Sequence, residues 1–446
     1  MTVVNNGRAG AWRNRNFRRL WAGATASTFG SEIAEIALPL LALLTLSASA
    51  SELSALRVAQ FLPFLLATLP LGLLVDRRSG HRLQFMVGAD VGRFLLVASI
   101  PIAVWLGLLH MPLLYALVFG AGILTVLFDV ANFAFLPRVV DPDQLVDANG
   151  KLEATHSASE IGGRGIGGLA VQALSAPVAV GANALGFLAS ALFLSRIHSA
   201  LPDTADPASE PTPGLTTTDS QAARREVWEG LRVALTHHYI RPLLGEATTF
   251  NFFNEMLLLG LMLWAVRDLE LSAATIGLIF TAGGVGSFLG AWFGARLTGR
   301  FGYGRVLLLT LTLGNGAPLA LLASNHVEDR VVVLLCGVFA VMGVGIGIAN
   351  THAVSLRQIA VPEHLNGRTN AAYRLLSWGA IPLGAAAGGL VAATFDGQTA
   401  MLTGAVGVAA ATLWVAASRV PHLASINDAS SVDTDSPRSQ DETLED

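Results

Sequence analysis

The sequence predicts an all-α membrane protein with twelve transmembrane helices in two six-helix, pseudo-symmetric bundles, and three observations carry that prediction. The chain of 446 residues is 52% hydrophobic and only 13% charged, where about 25% charged is usual for a soluble domain. Its apolar residues gather into twelve stretches, each near the roughly 20 residues that a helix needs to cross a bilayer. Short motifs also recur between the halves. Val140-Asp141-Pro142-Asp143-Gln144-Leu145 is answered by Ala360-Val361-Pro362-Glu363-His364-Leu365, and Gly167-Gly168-Leu169 by Gly388-Gly389-Leu390. Phe29-Gly30-Ser31-Glu32 is answered by Phe252-Phe253-Asn254-Glu255, and Arg78-Ser79-Gly80 by Arg300-Phe301-Gly302, every pair lying 220 to 223 positions apart. Two six-helix halves in parallel repeat place a substrate site at their interface, near the bilayer midplane.

The first span, 20–46, follows a basic start of Arg8, Arg13, Arg15, Arg18 and Arg19. A signal peptide has the same order of parts, and Ala48-Ser49-Ala50 resembles a cleavage site. The apolar run is too long for one, however, and it contains Glu32 and Glu35, so it reads as a membrane helix. The next five spans fall at 53–75, 83–108, 112–136, 153–174 and 177–196, and the last six at 243–266, 273–297, 304–324, 330–353, 369–395 and 398–418. The fifth and eleventh are the most polar. Arginines concentrate on one side: at the start, at Arg77, Arg78 and Arg82, at Arg138 with Lys151, and at Arg296, Arg300, Arg305, Arg357 and Arg368. The opposite loops hold only Arg267 and Arg330. The positive-inside rule therefore places both termini in the cytoplasm. Cys336, the single cysteine, lies in an apolar stretch and reads as a small buried hydrophobe with no disulfide partner.

This divides the chain into a first bundle (1–196), a cytoplasmic linker (197–242), a second bundle (243–420) and a tail (421–446). The linker opens with a Pro/Ser/Thr/Asp stretch and continues as Gln221 to His237, where Val227, Trp228, Leu231 and Leu235 form one apolar stripe. Such a basic amphipathic helix belongs on the membrane surface or packed under the bundle. The tail is rich in Ser and Asp and reads as disordered.

The fifth span is the anomaly. Leu152 to Leu174 holds both Glu160 and Arg164, where each ionisable group costs roughly 2.5 to 3.5 kcal/mol at the bilayer centre. The two are four apart with the acid first, the favourable order for a pair on one helix face. Gly163 to Gly168 matches the dinucleotide fingerprint by letter. It lacks both the preceding strand and the following acid that the fingerprint requires, so Gly163, Gly167 and Gly168 read as a helix-packing surface.

The motifs now in hand resemble the major facilitator superfamily over nearly the whole chain. Gly72, Asp76, Arg77, Gly80 and Arg82 are similar to that superfamily's loop motif after helix two, with one residue inserted before the second glycine. Asp76 can accept from the N-terminal end of a neighbouring helix or pair with an arginine such as Arg138, and the resemblance implies a gating loop in which this contact latches an outward-facing state. Gly163, Gly167 and Gly168 resemble the drug/proton antiporter signature, with Arg164 standing where that signature has proline. Asn16-Phe17-Arg18-Arg19-Leu20-Trp21, Phe128-Asp129-Val130-Ala131, Leu145-Val146-Asp147-Ala148-Asn149 and Ala282-Gly283-Gly284-Val285-Gly286 resemble the bacterial exporter branch that includes enterobactin-exporter-like and macrolide-efflux-like proteins. The resemblance implies a multi-pass protein of the bacterial inner membrane.

Depth counted from the cytoplasmic ends puts Glu32, Arg164 and Glu255 near the midplane, and Asp129 level with Glu160. The expected site is a polar layer of Glu32, Asp129, Glu160 and Arg164 faced by Asn251, Asn254 and Glu255. Burial and a neighbouring arginine act on such a carboxylate in opposite senses, which poises it to exchange a proton. Proton and cationic substrate would then exclude one another, as an antiporter requires. The competing reading is a static Glu160–Arg164 pair that pins the helix. Asp90 and Arg93 read as a local pair, His352 and Asn350 as possible pathway residues, and His237 and His238 as solvent-facing. The function expected is proton-coupled efflux of a small amphipathic compound such as a drug, siderophore or secondary metabolite. Uptake by symport and a non-transporting sensor are the alternatives. No enzyme motif, cofactor site or metal-ligand spacing is found, and the partners expected are the substrate, protons and the lipid bilayer, with no nucleic acid and a monomeric state.

Overall fold

The computed structural model describes residues 11–140, 144–197, 220–326, 330–361, 363–425 and 428. Among these, thirteen α-helices follow in the order α1 (Arg15–Leu40), α2 (Ala50–Arg77), α3 (Arg82–Trp105), α4 (Met111–Val139), α5 (Leu145–Ala173), α6 (Ala176–Ser195), α7 (Ser220–Thr236), α8 (Ile240–Arg267), α9 (Ala273–Phe301), α10 (Tyr303–Gly316), α11 (Val331–Ala360), α12 (Glu363–Thr394) and α13 (Gly397–Ala416). A π-helical turn, Leu41–Thr45, prolongs α1, and a 3-10 stretch, Ala317–His326, prolongs α10. Helix α7 lies in the linker, and the other twelve coincide with the expected spans. Ten helices among the described residues are long and apolar enough to cross a membrane; α2 and α5, at 28 and 29 residues, have the length. The eleventh span is among the ten, although it is one of the two most polar. Its polar residues crowd the start of α12, ahead of an apolar run to Thr394.

Helix starts are set by side chains that satisfy free backbone donors. Ser49 and Glu52 form a reciprocal capping box on α2. Asn14 caps α1, accepting from the Asn16 and Phe17 N–H groups at 2.8 and 3.2 Å, while its amide donates to the Val139 carbonyl at 2.5 Å. Beside it, the Asp147 carboxylate accepts from the Ala11 N–H at 2.9 Å and pairs with Lys151. The Lys151 bond first, and the Ala11 bond second, hold the Asp147 carboxyl below its ordinary range. A carboxyl depressed in the folded state stabilises it above the unfolded pKa and loses that contribution as the pH falls through the folded one. Exchange protection of the Ala11 amide, corrected for intrinsic rate, should therefore fade as the pH falls below about 4. It should be absent at every pH in Asp147→Ala, which removes the acceptor. Equal protection in both proteins would show that the bond does not hold the segment.

The described residues form two compact units. One gathers those of Met1–Gly214, Leu259–Thr281 and Ala385–Ala400. In it α1 lies against α5 and α6, α3 against α4 and α6, and α2 against α4. Phe17, Leu20, Met86, Phe128, Phe135 and Leu194 fill one core of this unit. Segments from late in the chain complete it: the Ser54 hydroxyl donates to the Ala385 carbonyl at 2.8 Å, and Arg267 donates to the Ala48 carbonyl.

The other unit gathers the described residues of Leu215–Leu258, Ala282–Gly384 and Met401–Asp446. Its core includes Tyr239, Ile240, Leu243, Leu307, Leu356, Tyr373 and Val415. Helix α7 joins that core through Ala234 and Leu231. Gly230 meets the Arg368 backbone, and Glu229 pairs with Arg368 at 2.9 Å. The apolar stripe expected on α7 is therefore divided, because the small residues Gly230 and Ala234 set the packed face while Trp228 and Leu235 remain exposed. His238 is exposed as expected, whereas His237 is half-buried and its Nδ1 accepts from the Tyr239 N–H at 3.2 Å.

A seam of small residues joins α9 to α11. Gly286 faces the Ala340 backbone, Gly290 that of Val344, Gly343 that of Gly283, and Gly347 that of Ser287, all too close to admit a Cβ. The Ala282 to Gly286 motif thus has a packing role, that of small residues between membrane helices. Gly343→Val should destabilise by about 1–3 kcal/mol through overpacking, seen as a lower midpoint of thermal unfolding. Gly337→Val, on the same helix but facing open space, should leave the midpoint unchanged.

The tail residues 426–427 and 429–446, linker residues 198–219 and loop residues 141–143 lie outside the described residues, so the expectations made for them have no structural counterpart here.

Candidate functional site

In the first unit α5 approaches α1 where two glycines leave no side chain between them. A Cβ on Gly163 would stand 2.5 Å from the Glu32 Cβ and 3.3 Å from the Phe29 carbonyl, and one on Gly167 would stand 3.0 Å from the Ile33 carbonyl. Gly168 faces the other way, onto Ala273 and Gly277 of α9. The close approach lets Arg164 reach across to α1. Its Nε donates to Glu32 Oε2 at 2.9 Å, and its Nη1 pairs with Glu160 Oε1 at 3.2 Å. Glu32, which has no base within one turn of its own helix, receives one from α5.

One turn along α1 lies a second ionic cluster. Arg57 of α2 donates to Glu35 Oε1 at 2.7 Å and to Gln60 Oε1 at 3.1 Å, Gln60 donates to Glu35 Oε2 at 3.1 Å, and the guanidinium lies 5.0 Å from the Phe61 ring centre. Sequence reasoning marked Glu35 and missed Arg57 and Gln60. The signal available was an arginine and a glutamine one turn apart inside the second span. Together the two clusters set three carboxylates, Glu32, Glu35 and Glu160, against two guanidiniums, Arg57 and Arg164.

Asp129 stands exposed on α4. Asp90 and Arg93 form the expected local pair, fully buried, with the guanidinium 4.4 Å from the ring centres of both Phe128 and Phe187. Of the gating-loop residues, Arg82 donates to the Ala134 carbonyl at 3.0 Å, Arg77, Gly80 and Arg138 are exposed, and Gly72 and Gly80 face open space. The Asp76 side chain lies outside those described, so its pairing with Arg138 stays an expectation.

In the second unit Asn251 donates to the Ser377 carbonyl at 2.8 Å, tying α8 to α12. Glu255 is buried and Asn254 half-buried on the same helix. His352 is buried edge-on to Tyr303, whose hydroxyl donates to the His352 carbonyl at 2.5 Å, while Asn350 is exposed. These two residues of α11 therefore have different surroundings, one locked in the core and one open. Among the described residues no group of His, Cys, Asp and Glu is arranged to hold a metal ion.

Solved transporters share the fold. A bacterial homologue of the iron transporter ferroportin, in its inward-facing state, is 17% identical with a TM-score of 0.64, covering 90% of this chain and 98% of that one. The nucleoside transporter NupG is 12% identical with a TM-score of 0.68, covering 90% and 99%. A D-xylose-proton symporter is 15% identical with a TM-score of 0.65, covering 89% and 96%. No curated protein matches the chain by sequence. A family model described as transmembrane secretion effector matches residues 8–445, nearly the full length, and the chain accordingly belongs to that family of major facilitator transporters.

Proposed function

We propose that this transporter is a secondary exporter of the bacterial inner membrane, which moves a small amphipathic compound out by alternating access in exchange for protons moving in. The carrying observation is the single guanidinium of Arg164 shared between Glu32 and Glu160 at 2.9 and 3.2 Å. With one base for two acids, the cluster takes up either a proton or the cationic group of a substrate. Binding of one disfavours the other, which is the coupling that exchange requires. A drug, siderophore or secondary metabolite with an apolar body and a basic group fits this chemistry. The family description, which speaks of secretion, supports export over uptake by symport, and a transporter family argues against a sensor.

Asp129, Asn251, Asn254 and Glu255 are assigned to the remainder of the pathway, Asp76 with Arg138 to the cytoplasmic latch, and both termini to the cytoplasm, with the monomer as the working unit. The test is transport in proteoliposomes under an imposed pH gradient, using ethidium and other fluorescent amphipathic compounds as probes. Accumulation inside vesicles with an acidic interior supports exchange. Accumulation only inside vesicles with an alkaline interior points to symport instead.

A further inference from the structure

Among the described residues, Glu246 is a membrane carboxyl that the transport site does not use. Glu246 of α8 lies in the second unit, and its Oε1 accepts from the Asn315 amide of α10 at 3.0 Å. The same amide nitrogen donates to the Thr412 hydroxyl of α13 at 3.2 Å, and that hydroxyl donates to the Leu311 carbonyl at 3.3 Å. Asn315 and Thr412 are buried. Among the described residues no lysine, arginine or histidine pairs with Glu246. The titratable group facing it from α12 is Tyr373, whose hydroxyl is committed to the Leu243 carbonyl at 3.0 Å. Arg357 of α11 lies over the Tyr373 ring, 3.8 Å from its centre.

The internal repeat shows what is unusual here. Asn315 and Thr412 stand 222 positions after Arg93 and Ser190. The first unit therefore has the same nook between equivalent helices, and there Arg93 closes an ion pair with Asp90 beside Ser190. The first nook takes its acid from α3 and keeps a cation beside it. The second takes its acid from α8 and has a neutral amide where the cation stood. Glu246 is half-buried; an ionised carboxylate withdrawn from water without a cation is costly, whereas a protonated one is a neutral group that an amide can satisfy.

We propose that Glu246, held by Asn315 against Thr412, is a proton-binding site of the second unit, where the equivalent nook of the first unit holds a closed ion pair. The ligand is a single proton. The site is distinct from the Glu32 cluster and stands whether or not that cluster couples transport.

The test is a pH titration of the purified full-length protein in lipid nanodiscs, followed by infrared difference spectroscopy of the carboxylic-acid carbonyl band. Wild type should show a protonated-acid band at neutral pH that is missing from Glu246→Gln, a near-isosteric change that mimics the protonated form and so preserves the fold. Asn315→Arg restores the first unit's arrangement and should abolish the same band by ionising Glu246. Asn315→Leu removes the hydrogen bond and should shift the band without abolishing it. Glu32→Gln should leave it in place. If the wild-type and Glu246→Gln spectra superimpose across the titration, Glu246 binds no proton in this range and the proposal is overturned.

Discussion

Replacing Glu32 with glutamine should abolish uphill transport while leaving downhill movement of the same compound intact. A proton crossing about 100 mV of driving force supplies about 2.3 kcal/mol, which at one proton per molecule sustains an accumulation ratio of roughly 50, given about 1.4 kcal/mol per tenfold. Glu32→Gln keeps a hydrogen-bond acceptor for Arg164 but removes the exchangeable proton. The ratio should fall from roughly 50 to near one, measured in proteoliposomes with an imposed pH gradient. Wild-type accumulation by the variant would remove Glu32 as the coupling acid, and Glu160→Gln, tested alongside, would then show whether the other acid on Arg164 holds that role.

The second large effect concerns Arg164. Arg164→Gln strands two carboxylates that it now bonds. Removing one partner of a fully buried pair typically costs 3–5 kcal/mol. Here the Arg164 and Glu160 side chains keep 27% and 36% of their exposure, so solvent screening brings the expected loss down to about 1–3 kcal/mol. Arg164→Lys cannot reproduce the two-pronged geometry and should recover only part of the loss. The informative protein is the double variant, Arg164→Gln with Glu32→Gln. If the arginine's stabilising role is to neutralise acids, removing one of them should restore most of the thermal midpoint without restoring uphill transport. A double variant no more stable than Arg164→Gln alone would show that the guanidinium acts through packing rather than charge. The readings of helix α5 as a static pin and as a coupling element are separated by this pair of measurements, one of stability and one of transport.

Much of the fold was legible along the chain. Membrane spans are written in local composition, since every buried backbone group must be satisfied within its own helix, and twelve helices stand where apolar length put them. The Glu160–Arg164 pair was legible for the same local reason, because residues four apart on a helix are neighbours. Glu35's true partner was not. Arg57 lies on a different helix, and only the tertiary fold brings its guanidinium to 2.7 Å from Glu35. Depth along a helix does not say how a side chain is surrounded, and on α4 Asp129 is exposed. The stripe on α7 failed likewise. Hydrophobicity alone chose Trp228 and Leu235, whereas close packing chose Gly230 and Ala234.

What the sequence determined without help is therefore the part ruled by local physics: the solvent, the helices, their number, the repeat and the charges placed at unfavourable depth. Tertiary structure alone decided which acids the arginines serve on other helices. Arg164 reaches Glu32 because Gly163 and Gly167 remove the side chains that would hold α5 away from α1, and Glu246 lies beside an amide where the repeat's first copy has an arginine. Charge pairing depends on distances of a few ångströms between separate helices, and those distances are set by packing, which no single stretch of sequence records.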